Sequence, residues 1–376
     1  MLELKQVTPQ SPLWDSFLHL YGEYFQRHWP EVFGDQPEES IAKENHTALE
    51  QRILQGDRGL FLLLNAGQLA GLANVYLERE ELKQKELVQK ELERKEKVTL
   101  NIAEFYIRDE DQRQKLGHGL WHGMLQWGRR HGATQVHLET DVGKNANFFW
   151  QSHGLASYQV DERVHYHGPI PPLKILWIRH GHIIPLDHLD YCPEDHLIAL
   201  DATSIKQAKE IGIRILGKRP WQTIYTSPQR RALETAKAFS SADKSCLLQE
   251  TEALCEFFPE ELIGLKLADI PRRYGEDYAH RLLHTPLDSP FKNSEQVTDA
   301  ANRIHRFIMQ MGDELSMSSM RMIISHQNLH NIFLAHLMTR DLNLSGRWHL
   351  NHLHGSTFLY CPYTKQFDVE NVNIPL

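Results

Sequence analysis

The sequence has few cysteines, no long apolar run and no excess of positive charge, and each absence excludes a class of protein. Its four cysteines are widely spaced without a Cys-x-x-Cys pair, so neither a disulfide framework nor a zinc knuckle is predicted. No apolar run is long enough to span a bilayer, and the first ten residues lack the features of a secretory signal. The formal net charge of -8 argues against a general nucleic-acid binder. We therefore expect a cytoplasmic protein without membrane or nucleic-acid partners.

The chain is long enough to form two domains. Its 376 residues can build two hydrophobic cores. The stretch HYHGPIPPLK, residues 165–174, contains one glycine and three prolines, which disfavour a helix and favour an extended connector. No internal repeat relates the two halves. We predict one domain over residues 1–167, a proline-rich linker over 168–173 and a second domain over 174–376.

Residue patterns in the first half predict alternating strands and helices. Apolar runs flank an Asn-Ala-Gly turn in GLFLLLNAGQLAGLANVYLE, which predicts a hairpin, and VTLNIAEFYI and QVHLETDV predict further strands. Helical spacing is seen in SPLWDSFLHLYGEYFQ, EESIAKENHTALEQRIL and GHGLWHGMLQWGRRHG, with Gly132 placed to end the last of these. The highly charged residues 78–97 predict an exposed helix or hairpin arm; we favour a solvated insertion over a partner-binding role.

The loop QKLGHG, Gln114 to Gly119, lies between a predicted strand and a predicted helix. Its glycines would let backbone N–H groups approach an anion, and the helix N-terminus favours negative charge. A tight turn would explain the same residues. Together with the aromatic-rich helix from Asn145 to Leu155, the motif resembles the acetyl-CoA-binding core of the GCN5-related N-acetyltransferases (GNAT), whose hallmark is Gln/Arg-x-x-Gly-x-Gly/Ala.

The GNAT resemblance implies a mixed α/β domain, acetyl-CoA as cofactor and an amine as acetyl acceptor. It implies that a strand binds the pantetheine arm through backbone groups and that the glycine loop cradles the pyrophosphate. The strand residues are Phe105, Tyr106 and Ile107, and the loop residues are Gln114, Leu116, Gly117, His118 and Gly119.

Two further positions concern catalysis in this half. Glu104 matches an acidic residue that helps to deprotonate the amine, although a surface carboxylate would look the same in sequence. The acid that the family usually supplies is a tyrosine on the last helix, and Trp150 stands there instead. Either Tyr158 or water replaces that acid, or the domain binds acyl-CoA without catalysis.

In the second half, ILWIRHG is a predicted buried strand that ends in Arg179, His180 and Gly181. Ligand sites of open parallel α/β sheets lie at the carboxyl ends of strands. A neutral imidazole there can attack an electrophilic phosphorus, and the glycine would give the phosphoryl group room. The stretch TSPQRRALETA adds Arg231 at a helix start, where a guanidinium can bind two phosphoryl oxygens or form a salt bridge. Two later segments are ALCEFFPEELIG, with Glu256, and the strand RMIISHQNLHNIF, with His326.

The order of these motifs resembles the histidine phosphatase superfamily, which includes the phosphoglycerate mutases. The order is Arg-His-Gly, then Ser-Pro-x-x-Arg-Ala-x-x-Thr-Ala, then Leu-x-Glu, then a strand followed by Ser-His. SEQVTDAANRI also resembles the family's Glu-Ser-x-x-Asp-x-x-x-Arg helix, with Glu295, Asp299 and Arg303 in register. The resemblance implies a three-layer α/β/α domain of the phosphoglycerate mutase type.

The resemblance also implies a role for each catalytic residue. His180 would attack phosphorus and become phosphohistidine, and Arg179, Arg231 and His326 would bind the phosphate and neutralise its charge. Glu256 would protonate the leaving oxygen and then accept a proton from the hydrolytic water. No metal is required, because arginines and histidines supply the positive charge.

Departures from the family pattern affect the rim of the predicted pocket. His182 stands where Glu or Gln is common, and Gln327 replaces the glycine that usually follows the second histidine. In HLNHLH, His349, His352 and His354 suggest either a metal site or a terminal strand near the pocket. We favour the strand, since no carboxylate or cysteine completes a ligand set.

The sequence therefore predicts a bifunctional α/β protein, in which a GNAT-like domain precedes a metal-independent phosphomonoester phosphatase. Its substrate would be a small phosphomonoester or a phosphoprotein, and its oligomeric state stays open. A phosphoglycerate-mutase activity is the alternative that uses the same residues, although a domain of this length is short for the lid that activity needs. The other alternative is a phosphatase whose GNAT-like half is a non-catalytic, regulatory acyl-CoA-binding module.

Overall fold

A computed structural model describes most of the chain: residues 2–81, 96–184, 194, 198–216, 223–244, 246–282, 288, 294–314, 320–361 and 364–376. These residues form two compact units, and the boundary between them along the chain lies between Pro172 and Leu173. Among the described residues, no helix has the length and apolar character needed to cross a membrane.

The first unit contains a mixed sheet in the strand order β1-β2-β3-β4-β5-β7-β6. Its strands are β1 (Leu2–Val7), β2 (Arg58–Asn65), β3 (Gln68–Glu81), β4 (Glu96–Ile107), β5 (Gln135–Asp141), β6 (Ala156–Val160) and β7 (Arg163–Pro169). Its helices are α1 (Trp14–His28), α2 (Pro30–Phe33), α3 (Glu38–Leu54), α4 (Leu116–Arg130) and α5 (Ala146–Gln151).

Both faces of this sheet are packed by helices. On one face, Phe17 and Leu20 of α1 lie in a core with Leu60 and Leu62 of β2. Alternation along β2 turns Phe61 to the opposite face, where its ring contacts Trp127 of α4 at a centroid distance of 6.3 Å. The predicted hairpin is confirmed: Ala66 and Gly67 both adopt positive φ, as a two-residue turn between β2 and β3 requires.

The pairing of β4 with β5 ends early and opens a gap in the sheet. These two strands are parallel and pair only from Thr99 opposite Gln135 to Ile102 opposite Leu138. On its other edge, β4 pairs with β3 through an irregularity at Ala103, the residue between Ile102 and Glu104. Such a bulge adds local twist. Beyond it, residues 103–107 of β4 no longer pair with β5.

The second unit contains a sheet in the strand order β10-β9-β11-β8-β12-β13. The first four strands are mutually parallel, and β12 pairs antiparallel with both β8 and β13. Its strands are β8 (Leu173–Arg179), β9 (Thr223–Thr226), β10 (Leu247–Glu250), β11 (Met320–Ser325), β12 (His354–Cys361) and β13 (Gln366–Pro375). Its helices are α6 (Ala202–Leu216), α7 (Arg230–Ser240), α8 (Asp269–Tyr274), α9 (Glu276–Leu282), α10 (Val297–Asp313) and α11 (Gln327–Met338).

The alternation of β8 shows why its sequence is continuously apolar. Ile175 and Trp177 pack into a core with helices α10 and α11. Leu176 and Ile178 point to the other face, into a second core with α6 and α7. A strand covered on both faces needs apolar residues at every position. The predicted three-layer α/β/α architecture is confirmed.

The structure differs from three local expectations in where strands begin and end. Gly168 and Pro169, expected in the linker, belong to β7; proline is tolerated there because Pro169 is the last residue of the strand and lies beyond the pairing with β6, which ends at His167. The charged segment is strand at both ends, where β3 and β4 pair as far as Glu81 opposite Glu96; its centre, 82–95, lies outside the described residues. The strand expected over 349–354 begins only at His354, because Leu353 adopts a left-handed φ of 57°.

Candidate active sites

In the second unit, the ends of β8 and β11 bring two histidines together. The backbone N–H of His180 donates to the Ser325 carbonyl at 2.9 Å. Ser325 is the last residue of β11, and His326 follows it directly. The ring centroids of His180 and His326 are 5.2 Å apart. Both side chains are buried. Two residues 146 positions apart in sequence thus face each other because their strands are parallel neighbours.

The hydrogen bonding of His180 determines which ring nitrogen carries the proton. Its Nδ1 lies 2.8 Å from the carbonyl oxygen of Gly181. A carbonyl only accepts, so Nδ1 is the donor and Nε2 of the neutral ring holds a lone pair. Burial, followed by the positive charge of Arg231, lowers the pKa of His180 well below its usual value. The ring is therefore neutral at physiological pH.

His326 has unused hydrogen-bonding capacity. Neither of its ring nitrogens has a partner among the described residues, although both are buried. Burial also lowers the pKa of His326 well below the usual value, and the charge of Arg231 acts in the same direction. A buried polar group without a partner is costly, so this ring is suited to an incoming ligand.

Two arginines make the site electropositive. Arg179 donates from Nη1 to Oε1 of Gln327 and to the carbonyl of Leu350, both at 2.7 Å. Its buried Nε has no partner among the described residues. Burial lowers its pKa to about 10, which leaves it charged at neutral pH. Arg231, in the first turn of α7, is close enough to affect the pKa of both site histidines.

Glu256 is held by the start of α11. Its Oε1 accepts hydrogen bonds from the backbone N–H groups of Leu329 at 2.9 Å and Phe257 at 3.0 Å, and Oε2 accepts one from Asn328 at 3.2 Å. Burial raises the pKa of Glu256, and the charge of Arg231 and these amides oppose the rise. The carboxyl therefore keeps its proton to a higher pH than a free glutamate.

Arg303 fixes the segment that precedes Glu256. It makes a forked contact with Glu295, from Nε at 2.6 Å and from Nη2 at 2.9 Å. Its Nη1 donates to the carbonyls of Ala253 at 2.7 Å and of Glu252 and Cys255 at 3.3 Å. Asp299, the other residue of that motif, caps α10 with Gln296.

The structure gives a reason for Gly181 that the sequence did not indicate. A Cβ at this position would lie 2.7 Å from Cβ of Ser204, so glycine is needed because α6 approaches closely. The Gly181 amide donates to Oγ1 of Thr235 at 3.1 Å, and the His182 amide donates to Oγ of Ser204 at 2.8 Å. The expectation that this glycine gives a phosphoryl group room stays a prediction.

His182 and His352 form the rim of this site. The His182 side chain is exposed, and its ring centroid is 4.2 Å from that of His352. Nδ1 of His352 donates to the carbonyl of His180 at 2.9 Å, so this ring supports the backbone of His180. Burial lowers the pKa of His352 to about 4. Sequence analysis placed His352 and Gln327 near the predicted pocket, but it did not predict these hydrogen bonds, because each joins residues that are distant in sequence.

In the first unit, the loop before α4 holds the predicted pyrophosphate-binding residues. Arg113 and Lys115 adopt left-handed φ values of 60° and 62°, a backbone conformation that glycine usually supplies. Gln114 is exposed and donates to the Glu110 carbonyl at 3.1 Å. Gly117 faces the Phe149 ring, whose Cε2 would be 3.1 Å from an added Cβ.

The remaining loop residues lie in the first turn of α4. Leu116 begins the helix, and Gly119 is buried within it. Between them, the His118 ring contacts His153, with 3.0 Å between Nδ1 and Nε2. The loop and helix start therefore lie beside the aromatic side chains of α5.

The gap between β4 and β5 includes the predicted pantetheine-binding strand. Phe105, Tyr106 and Ile107 follow the last β4–β5 pair, so their backbone edge toward β5 is unpaired in the sheet. The Phe105 ring packs against Trp150 at 5.0 Å, and the Tyr106 hydroxyl donates to Oε1 of Glu23 at 2.9 Å.

Glu104 and Trp150 lie in contrasting surroundings. Burial raises the pKa of Glu104, while Arg58 and hydrogen bonding from Asn74 and Tyr21 oppose the rise. Its Oε2 is buried and has no partner among the described residues. Trp150 is 4% exposed and packs edge-on to Trp121 at 5.4 Å. The tryptophan is a packing residue of the core.

Comparisons with known proteins cover both units. Residues 175–375 match the model of the histidine phosphatase superfamily (branch 1), and residues 14–155 match that of the acetyltransferase (GNAT) family. No curated protein matches the chain.

Solved structures similar to this chain include three phosphatases. The α-ribazole phosphatase from Shigella flexneri is 20% identical, with a TM-score of 0.44. The match covers 54% of this chain and 98% of the phosphatase chain. A mycobacterial glucosyl-3-phosphoglycerate phosphatase is 18% identical, covering 54% and 98%, with a TM-score of 0.42. A phosphoserine phosphatase from Entamoeba histolytica is 18% identical, covering 53% and 96%, with a TM-score of 0.42.

Both family models describe enzymes, and each match falls on one structural unit. GNAT enzymes use acetyl-CoA and amine acceptors, and histidine phosphatases act on phosphate substrates without a metal. Because its phosphatase match covers more than half of the residues, the chain belongs to the histidine phosphatase superfamily, branch 1, and carries an N-terminal domain of the GNAT family.

Proposed function

We propose that the domain over residues 174–376 hydrolyses phosphomonoesters through a phosphohistidine at Nε2 of His180. The observation that carries this proposal is the 2.8 Å hydrogen bond from Nδ1 to the Gly181 carbonyl. It leaves the lone pair on Nε2 of a neutral ring, which is the state that a nucleophile needs. The ring also needs no prior deprotonation, since burial keeps its pKa low.

Positive charge around this nitrogen supports phosphoryl transfer. Arg179, through its unpartnered Nε, and Arg231 would bind phosphoryl oxygens and stabilise the charge that develops on them. His326 would donate to a further oxygen, which would satisfy a buried ring nitrogen that has no partner among the described residues. A dianionic substrate would also raise the low pKa of His326 and so favour its charged form.

Glu256 supplies proton transfer in both half-reactions. In the first, Nε2 of His180 bonds to phosphorus, the bond from phosphorus to the ester oxygen breaks, and Glu256 donates its proton to that oxygen. In the second, Glu256 takes a proton from water as the water oxygen attacks phosphorus, and the bond to Nε2 breaks. Its raised pKa supports the acid role, and the amides of Asn328 and Leu329 support the carboxylate that results.

The test is hydrolysis of an aryl phosphate by the purified full-length protein and its His180→Ala variant. We expect a loss of at least about 10³-fold in kcat. His349→Ala is the control, because it removes an exposed histidine of the same domain that has no role in the proposed reaction. Unchanged hydrolysis in His180→Ala contradicts the proposal. Phosphate release, measured against formation of an isomerised product from a phosphorylated hydroxy acid, separates hydrolysis from the mutase alternative.

We propose further that the domain over residues 1–167 transfers an acetyl group from acetyl-CoA to an amine. The unpaired edge of Phe105–Ile107 supports pantetheine binding, and the loop from Gln114 to Gly119 at the start of α4 supports pyrophosphate binding. The buried carboxyl of Glu104, with a raised pKa and an unpartnered oxygen among the described residues, would accept the amine proton.

Trp150 favours a second candidate, a module that binds acyl-CoA without catalysis, because a buried indole cannot replace the tyrosine acid. Calorimetric titration with acetyl-CoA and a screen of amines for acetyl transfer distinguish the two. Catalysis predicts turnover that Glu104→Gln reduces about 100-fold while acetyl-CoA still binds. Binding without turnover of any amine supports the module. Gly117→Glu, which places bulk and negative charge against Phe149, should abolish binding in either case.

A further inference from the structure

One cluster of histidine and glutamate side chains consists of residues that have no role in either proposed active site. Glu139 on β5 pairs in register with His165 on β7, and His137 is two residues before Glu139 on the same face of β5. One ligand atom from each of the three side chains lies within 4.8 Å of the others. Nδ1 of His165 is 3.4 Å from Nε2 of His137 and 3.5 Å from Oε1 of Glu139.

These two distances match the spacing of ligands around zinc. Bonds of about 2.0–2.1 Å in a tetrahedron place neighbouring ligand atoms about 3.3–3.4 Å apart. The Glu139 side chain is 39% exposed, and its other oxygen, Oε2, lies 3.5 Å from Nη1 of Arg163, so Oε1 can adjust to close the third distance. Two imidazoles and one carboxylate are a ligand set that zinc accepts, with a fourth position left for water or another ligand.

Outer contacts already orient the first of these ligands. Nδ2 of Asn101 donates to Oε2 of Glu78 at 3.3 Å, which turns the amide oxygen of Asn101 toward His137. That oxygen lies 3.0 Å from Nδ1 of His137, so Nδ1 is the donor and Nε2 keeps its lone pair. A metal-bound histidine is commonly fixed in this way by its second nitrogen.

The second histidine is held by an aromatic contact. The Tyr158 ring on β6 stacks on His165 with an angle of 3° between their planes and 4.9 Å between centroids. The stacking fixes the plane of the ring, and in that plane Nδ1 faces His137 and Glu139. We propose that His137, Glu139 and His165 form a site for one divalent cation of the zinc class, which joins β5 to β7. The spacing in sequence gave no indication of it, because the ligands come from two strands.

The test uses the tag-free full-length protein, stripped with a chelator and titrated with Zn²⁺ against a chromogenic competitor. We expect one equivalent to bind to the wild type and to His349→Ala, a control that removes an exposed histidine of the other unit. His165→Gln and Glu139→Gln should each weaken binding at least about tenfold, and Asn101→Ala should weaken it about 10–100-fold by releasing His137. Co²⁺ should give a visible spectrum of tetrahedral type that the same variants lose.

Zn²⁺ should also raise the thermal midpoint of the wild type, and at the same Zn²⁺ concentration it should raise that of Glu139→Gln by less. Glu139 is exposed, so this variant keeps the test valid if a histidine variant fails to fold. Wild-type affinity and stoichiometry in Glu139→Gln and His165→Gln would overturn the proposal, since the ion would then bind elsewhere. So would the absence of binding to the wild type at micromolar Zn²⁺.

Discussion

Arg303→Lys should affect both the stability and the chemistry of the phosphatase domain. Two nitrogens of the guanidinium contact Glu295, and the third nitrogen, Nη1, donates to three backbone carbonyls. One of these carbonyls belongs to Cys255, the residue directly before Glu256. A lysine ammonium can keep the ion pair or the carbonyl contacts, but its single nitrogen cannot reach both. The substitution therefore frees the segment that carries Glu256.

The size of the effect follows from these contacts. A hydrogen bond to a charged group contributes about 1.5–3 kcal/mol when buried. The side chains of Arg303 and Glu295 are 21% and 36% exposed, which reduces each contribution. We expect the free energy of unfolding to fall by about 2 kcal/mol. A displacement of the carboxyl by about 1 Å should lower kcat by about 10–100-fold.

Urea unfolding, kcat with an aryl phosphate and the pH dependence of kcat test this reasoning together. If Glu256 leaves the amides of Asn328 and Leu329, its pKa should rise further and the alkaline limb of the profile should move to higher pH. Arg306→Lys is the matched control, since it changes an exposed arginine of the same helix and should leave stability within about 0.5 kcal/mol. A kcat that falls only with the folded fraction, or an equal effect of Arg306→Lys, would refute the role of Arg303.

Three more predictions concern the same domain. Since the pKa of His180 is low, kcat/KM should stay constant as pH falls below 6.5. Since the pKa of Glu256 is raised, kcat/KM should decline as pH rises through that pKa. Glu256→Gln should remove that decline and slow turnover about 10²–10⁴-fold. Burial lowers the pKa of His330 to about 4, so its protonation in the unfolded state should remove roughly 2–3 kcal/mol of stability between pH 6.5 and about 4. Urea unfolding of His330→Gln should show a smaller loss of stability over that range. An equal loss would contradict the role of His330. Gly181→Ala should destabilise the domain by about 1–3 kcal/mol, because its Cβ would clash with Ser204; an unchanged urea midpoint would argue against the close approach.

The sequence predicted the parts of the fold that depend on local pattern. The apolar run of β8 showed that it is buried on both faces, and Arg179 and His180 follow it as expected for the carboxyl end of a parallel strand. Strand β11 brings His326 beside them for the same reason. Alternating strands and helices, the Asn-Ala-Gly hairpin and the helix ending before Gly132 are also confirmed.

Features that depend on contacts between distant residues could not be predicted. The bulge at Ala103 leaves no residue signature, although it opens the gap between β4 and β5. The need for glycine at position 181 arises from Ser204, which lies on a helix of separate sequence. The cluster around His165 depends on the register of two strands, and register is set by the whole sheet.

The most direct measurement of the central claim is the capture of the phosphorylated enzyme. An aryl phosphate has a good leaving group, so Glu256→Gln should still form the intermediate while hydrolysing it slowly. The mixture is quenched in alkaline denaturant, which preserves the phosphorus–nitrogen bond, and digested for mass spectrometry. The account predicts phosphate on His180 of the Glu256→Gln variant and no phosphate on the double variant Glu256→Gln/His180→Ala. Steady hydrolysis by the wild type with no phosphate on His180, or with phosphate on another residue, would contradict it.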